Sequence, residues 1–153
     1  SRDHFPIFTK ADERSRTLSS RVQACSRPGT PSISPIVKDP IQLAEHYVLL
    51  SNRGGLEDIW SCFEPDATYH STQFGSCRGL AEIQTMMKDF FGRFPSPFWA
   101  VEHYRLLDGD TVEFPFTMTG SDTNGNPIER QGVERLQFNT TTGKIRHVHV
   151  SVL

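Results

Sequence analysis

No stretch of this 153-residue chain approaches the run of about twenty apolar residues that a membrane-spanning helix needs, so no membrane partner is expected. Cysteine is scarce: Cys25, Cys62 and Cys77 form no C-x-x-C pair, and three cannot all pair with one another. A disulfide framework is thereby disfavoured, and a reducing, cytoplasmic setting is expected. Phosphate loops, dinucleotide fingerprints and nucleophile elbows are missing as well. A formal net charge of -2 supplies no general pull toward nucleic acid or anionic lipid.

Charge is unevenly spread. Up to Lys38 there are seven Lys/Arg and three Asp/Glu, net +4, against nine and fifteen, net -6, in the remainder. Five of the ten prolines fall at or before Pro40, among many Ser and Arg and without a sustained apolar period. Residues 1–38 are therefore expected to be a flexible tail. Organelle import through this Arg/Ser-rich segment is the alternative, with Asp3, Asp12 and Glu13 counting against it. Its one apolar cluster, Phe5-Pro6-Ile7-Phe8, is a candidate docking element. Residues 39–153 are long enough for a single domain with a real core.

Asp39-Pro40 combines an N-cap with a proline at the first helical position, and Ile41, Ala44, Tyr47 and Val48 then recur at helical spacing until Gly54-Gly55. Tyr47 therefore belongs to the buried stripe. A short helix is expected in "LEDIWSCF", ended by Glu64-Pro65-Asp66, then a strand in "ATYHST" and a third helix in "GLAEIQTMMKDFFGRF". From Phe98 on, "FWAVEHYRLL", "TVEFPFTMTG", "ERQGVERLQF" and "KIRHVHVSV" read as strands separated by turns. Helices followed by an antiparallel meander make an α+β fold.

The last turn decides which residues face the core. A three-residue loop Thr141-Thr142-Gly143 would set Phe138 opposite Arg146, Leu136 opposite Val148 and Glu134 opposite Val150. That register turns Leu136, Phe138, Val148, Val150 and Val152 inward, with Glu134 among them. His147 and His149 then point outward with Arg135 and Gln137, and a guanidinium opposite His149 disfavours a metal there, so no metal is expected. The exception is Glu134, a carboxylate on an apolar face.

The stretch "YVLLSNRGGLEDIWSCFEPDATYHS" resembles the beginning of bacterial ketosteroid isomerases, and "GVERLQFNTTTGKI" resembles their penultimate hairpin. From Asp39 to Val152 the chain is similar to the nuclear transport factor 2-like superfamily, which includes SnoaL-type polyketide cyclases, scytalone dehydratases and the association domain of calmodulin-dependent kinases. The resemblance implies a curved antiparallel sheet with three helices closing a cone, a cystatin-like α+β barrel. It matches Tyr47 to the isomerases' oxyanion-hole tyrosine and Glu134 to their protonated oxyanion-hole acid. The isomerase base, however, falls on Ser71, and the aspartate of SnoaL-type cyclases falls on Val150. His103 lies near the place of a dehydratase histidine, at a shorter distance from the following hairpin. "HVHVS" is similar to the ending of the kinase association domains, which are oligomeric hubs.

Two expectations result. One is a cofactor-independent isomerase, cyclase or dehydratase for a hydrophobic carbonyl compound, polyketide-like or terpenoid-like, with Tyr47 and Glu134 polarising an oxygen. Ser71, Asn52, Trp60, Phe90, Phe116, Val150 and His103 are its candidate substrate contacts, and Phe63, Phe94, Phe98, Trp99 and Met118 are further candidates for an apolar lining. The other is a non-catalytic ligand-binding or scaffold domain, in which Tyr47 merely hydrogen-bonds Glu134. In either case a homodimer or higher homo-oligomer is expected through the outer sheet face.

Overall fold

The computed structural model describes residues 38–153. The expected tail, with its Phe5–Phe8 cluster and Cys25, lies outside the described residues except for Lys38. Helix α1 spans Pro40–Arg53: the Asp39 side chain accepts a hydrogen bond from the Ile41 amide at 3.1 Å, and Gly54, at φ 79°, closes it in the left-handed region. Ala44, Tyr47, Val48 and Ser51 form its buried stripe. Helices α2 (Leu56–Trp60) and α3 (Leu80–Arg93) follow, the second burying Ile83 and Met87. Among the described residues no helix is long and apolar enough to cross a membrane.

Among the described residues seven strands make one open sheet. They are β1 (Phe63–Ser71), β2 (Gly75–Arg78), β3 (Phe98–Ala100), β4 (Arg105–Leu106), β5 (Thr111–Ser121), β6 (Pro127–Asn139) and β7 (Lys144–Val152). Their order is β2-β1-β7-β6-β5-β3, with β4 also on β5, and the sheet is curved and unclosed. The fold is the expected α+β class. One pairing departs from the antiparallel pattern, because β1 runs parallel to β7.

Three local expectations are corrected. Glu64-Pro65-Asp66 does not end a helix but lies inside β1, within the irregular stretch between the Phe63 and Thr68 pairings, where a missing amide proton breaks no ladder bond. "FWAVEHYRLL" is not one strand. Only its ends pair with β5, while Tyr104 between them packs on Phe114 with ring centroids 5.0 Å apart. Finally, the last hairpin pairs Phe138 with Ile145 rather than Arg146, and a bulge then restores Gln137 to His147, Leu136 to Val148 and Glu134 to Val150. The bulge has a clear cause. Strict alternation would have buried Arg146 and exposed Ile145, whereas the bulge leaves Ile145 fully buried and Arg146 exposed, and burying an isoleucine is worth about 1.5–3 kcal/mol.

The inner face of β5, β6 and β7 presents Val112, Phe114, Leu136, Phe138, Ile145 and Val148 to Ala44, Ile59 and Ile83 from the helices. A cavity remains where this packing is incomplete.

Candidate functional site

The cavity lies between α1, α3 and the inner sheet face. Tyr47 and Val48 come from α1, Tyr69 and Ser71 from β1, and Met87, Phe90 and Phe91 from α3. Trp99, Phe116, Met118, Arg130, Glu134 and Val150 complete most of the sheet side. The empty space between the lining atoms is about 750 Å³ with the open mouth included. Its mostly apolar lining with a few polar groups is that of a small-molecule pocket.

Glu134 is the chemical centre of this space. It is 6% exposed, and among the described residues it makes no hydrogen bond and no ion pair. Its oxygens nevertheless are not sealed in protein, since among the described residues the one buried side-chain polar atom without a partner is Trp60 Nε1. Burial pushes its carboxyl up to about 8, so at neutral pH it is mostly a carboxylic acid with a proton to donate.

Two tyrosines accompany it. Burial raises the Tyr47 hydroxyl well above its ordinary value, with smaller contributions from Tyr69 and from the Glu134 charge. Tyr69 is raised likewise, by burial and then by Glu134. Both stay protonated. Tyr47 is held in place by an edge-on contact with Phe63, at 5.8 Å and 79° between ring planes, and no hydrogen bond ties it to Glu134. The purely structural role in which the two bond each other is therefore not what the structure shows. What remains is a set of neutral O–H donors around an apolar space.

Of the expected contacts, Ser71, Phe90, Phe116 and Val150 line the cavity, as do Trp99 and Met118. Ser71 also builds its own turn, its Oγ accepting from the amides of Gln73 and Phe74 at 3.1 and 3.3 Å. Three candidates stand elsewhere. Asn52 is turned to the backbone of Trp99, donating to its carbonyl at 3.0 Å and accepting from its amide at 2.7 Å, so that it positions an aromatic wall from outside the lining. Trp60 is not in the lining and has the Lys88 ammonium 5.7 Å from its ring. His103 is exposed in the link between β3 and β4. Phe63, Phe94 and Phe98 are not in the lining either.

Tyr69 and Arg130 went unnoticed in the sequence. Each has the signal of strand parity: Tyr69 lies two residues before Ser71, and Arg130 four before Glu134, on the same face.

The opposite face carries a polar row. Arg105, Glu113, Arg135, His149, His70 and Ser76 are successive cross-strand partners over six strands. Glu113 bonds both arginines, which hold its carboxyl below the usual range. His70 and His149 stack at 5.1 Å, and burial followed by the His70 charge holds His147 and His149 below the ordinary imidazole value. No group of three His, Cys, Asp or Glu among the described residues is arranged to hold a metal.

Comparison with known proteins agrees with this architecture. The family model described as "SnoaL-like domain" matches residues 44–148. The BvnE pinacolase from Penicillium brevicompactum superposes with a TM-score of 0.67 at 13% identity, over 74% of this chain and 85% of that one. SalBIII, described as an epoxide hydrolase/cyclase-like enzyme in pyran ring formation, gives 0.65 at 18%, over 73% and 88%. A candidate polyketide cyclase from Xanthomonas campestris pv. campestris gives 0.64 at 16%, over 72% and 87%. At these identities the likeness is one of fold. Curated protein sequences yield no match.

Proposed function

The chain belongs to the SnoaL-like domain family, and on that premise we propose that it is a cofactor-independent isomerase, cyclase or dehydratase acting at an oxygen of a hydrophobic small molecule. The observation that carries this reading is Glu134, buried, without a hydrogen-bond or ion-pair partner among the described residues and open to the cavity. No described residue offsets its desolvation, so a substrate oxygen is the partner this reading gives it.

The choice of chemistry follows from what lines the space. Titratable side chains there are Tyr47, Tyr69, Arg130 and Glu134, while Ser71 and Val150 occupy the positions where related enzymes keep a base. Among the described lining residues Glu134 is the one carboxylate, so donation of its proton comes first and its conjugate base is what then takes a proton. Donation to oxygen has three agents. In this proposal Glu134 gives its proton to a carbonyl, epoxide or hydroxyl oxygen as that oxygen gains charge or leaves, and Tyr47 and Tyr69 share the developing charge. The proton released when the new ring or double bond forms returns to Glu134, so the cycle consumes nothing beyond the substrate. Pinacolase and epoxide cyclase-like neighbours support a reaction of this kind.

A panel of cyclic ketones, epoxides and phenols, screened by native mass spectrometry, tests the reading. Glu134→Gln keeps a hydrogen-bond donor but no transferable proton, so it should retain binding and lose turnover, whereas Glu134→Ala should lose both. If no panel member occupies the cavity, the proposal fails. The outer row supports a second element, contact with another copy of this chain through Arg135, Gln137, His147 and His149. A monomer in sedimentation at micromolar concentration would remove that element.

A further inference from the structure

Arg130 is a half-buried cation near the start of β6. It lies on the inward parity of β6 with Gly132 and Glu134, opposite buried Met118, and lines the mostly apolar cavity. The ion pairs of the described residues are Arg93–Asp89, Arg105–Glu113 and Arg135–Glu113, so Arg130 has no carboxylate partner among them. Its guanidinium makes one long hydrogen bond, from Nη1 to the Glu129 carbonyl at 3.4 Å, and sits 6.0 Å from the centre of the Phe94 ring. Most of its five N–H groups are uncommitted.

Its distance from Glu134 is set by the strand. Four residues along β6 at about 3.4 Å each separate the two backbone positions by roughly 13 Å. Between them Gly132 offers no side chain, and the Phe116 ring lies so close that a Cβ there would meet its Cζ at 2.8 Å. The floor from Glu134 to Arg130 is therefore an aromatic ring, walled by Phe90 and Trp99. Donor, flat apolar bed and cation follow one another in a line.

We infer that the site takes an apolar, ring-built carboxylic acid, whose reacting oxygen lies at Glu134 and whose carboxylate is held at the far end by Arg130. A guanidinium matches the two oxygens of a carboxylate with two parallel N–H bonds, and its flat faces tolerate an aromatic mouth. A phosphate monoester fits less well, because it brings nearly two charges to a single cation in an apolar setting. Arg130 in this scheme binds and orients, choosing which end of the molecule reaches Glu134. The inference rests on the reading of the cavity given above, and its test separates the two.

Three probes suffice: 4-hydroxybiphenyl, 4′-hydroxybiphenyl-4-carboxylate and the corresponding carboxamide, titrated by calorimetry at pH 7. The phenol reports on the Glu134 end alone, and the acid and amide differ only at the Arg130 end. The acid is expected to bind at least about 10-fold more tightly than the amide, by a margin that shrinks as salt is added. In Arg130→Gln the acid-to-amide ratio should fall to near one, and in Arg130→Lys to an intermediate value; a ratio within one sample is insensitive to the folded fraction. Equal binding of acid and amide to the natural chain, or a preference that survives Arg130→Gln, overturns the anchor while the phenol's binding leaves the cavity reading intact. If none of the three binds, the cavity reading itself falls and the anchor with it.

Discussion

Glu134→Gln should remove one pH-dependent contribution to stability. The carboxyl rises from 4.5 to about 8 through burial. An acid raised in the folded state leaves the protein most stable below the unfolded value, and this contribution is lost as pH climbs from 4.5 toward 8, because the unfolded chain ionises while the folded one must keep its proton or bury a charge. At about 1.36 kcal/mol per pH unit, the full span amounts to something on the order of 5 kcal/mol, with roughly half of it between pH 5 and pH 7. Other titrating groups complicate a single curve, but they are common to both proteins and largely cancel in the difference between them. The measurement is urea unfolding of the natural chain and of Glu134→Gln at half-unit steps from pH 5 to 8. The natural chain should lose ground steadily relative to the variant as pH rises. A constant difference across that range, or a carboxyl carbon that titrates by NMR near the ordinary glutamate value, would refute the buried-acid argument and with it the donor role assigned to Glu134.

Tyr47→Phe leaves the ring against Phe63 and removes one donor, so stability should change by less than about 1 kcal/mol while affinity for 4-hydroxybiphenyl falls about 5- to 10-fold in calorimetry. In Gly132→Ala the new Cβ would run into the Ser151 carbonyl oxygen and stand 2.8 Å from Phe116 Cζ, an overpacking expected to cost about 1–3 kcal/mol by denaturant midpoint. Asn52→Ala removes both bonds to the Trp99 backbone, and should cost about 1–2 kcal/mol and speed amide exchange at Trp99. Glu134→Leu replaces a partnerless acid by an apolar side chain of similar size; it should raise the thermal midpoint at pH 8 and abolish phenol binding, the exchange expected where stability has been given up for function.

Where the chemistry is local, the sequence was legible. Asp39-Pro40 and Gly54 marked both ends of α1 because capping and left-handed closure depend on neighbours only a few residues away. Burial parity likewise placed Leu136, Val148, Glu134 and Val150 correctly across the last hairpin. The bulge at its near end was missed, although its cause is visible in the letters: with Phe138 and Val148 both inward, an unbroken strand buries Arg146 and exposes Ile145, and only an inserted residue resolves that conflict. The parallel pairing of β1 with β7 left no such trace. It joins Tyr69 to Val148 across most of the domain, and neither strand's pattern specifies the direction of its partner.

The site divides along the same line. Asn52 looked like a residue at a helix end with a ligand to orient, but its partner is the backbone of a tryptophan 47 positions away, a relation no local pattern encodes. Glu134, Arg130 and Tyr69 are different, because strand parity alone assigns them to the inner face. A charge at an inward position ordinarily argues that the register is wrong. Here the register of β6 is held by Leu136 and Phe138, both nearly inaccessible to solvent, and no shift can expose Glu134 and Arg130 without exposing those two as well. The sheet therefore carries one acid and one cation into an apolar space at a separation fixed by strand geometry. The two are too far apart to neutralise each other, and among the described residues neither has an ion-pair partner.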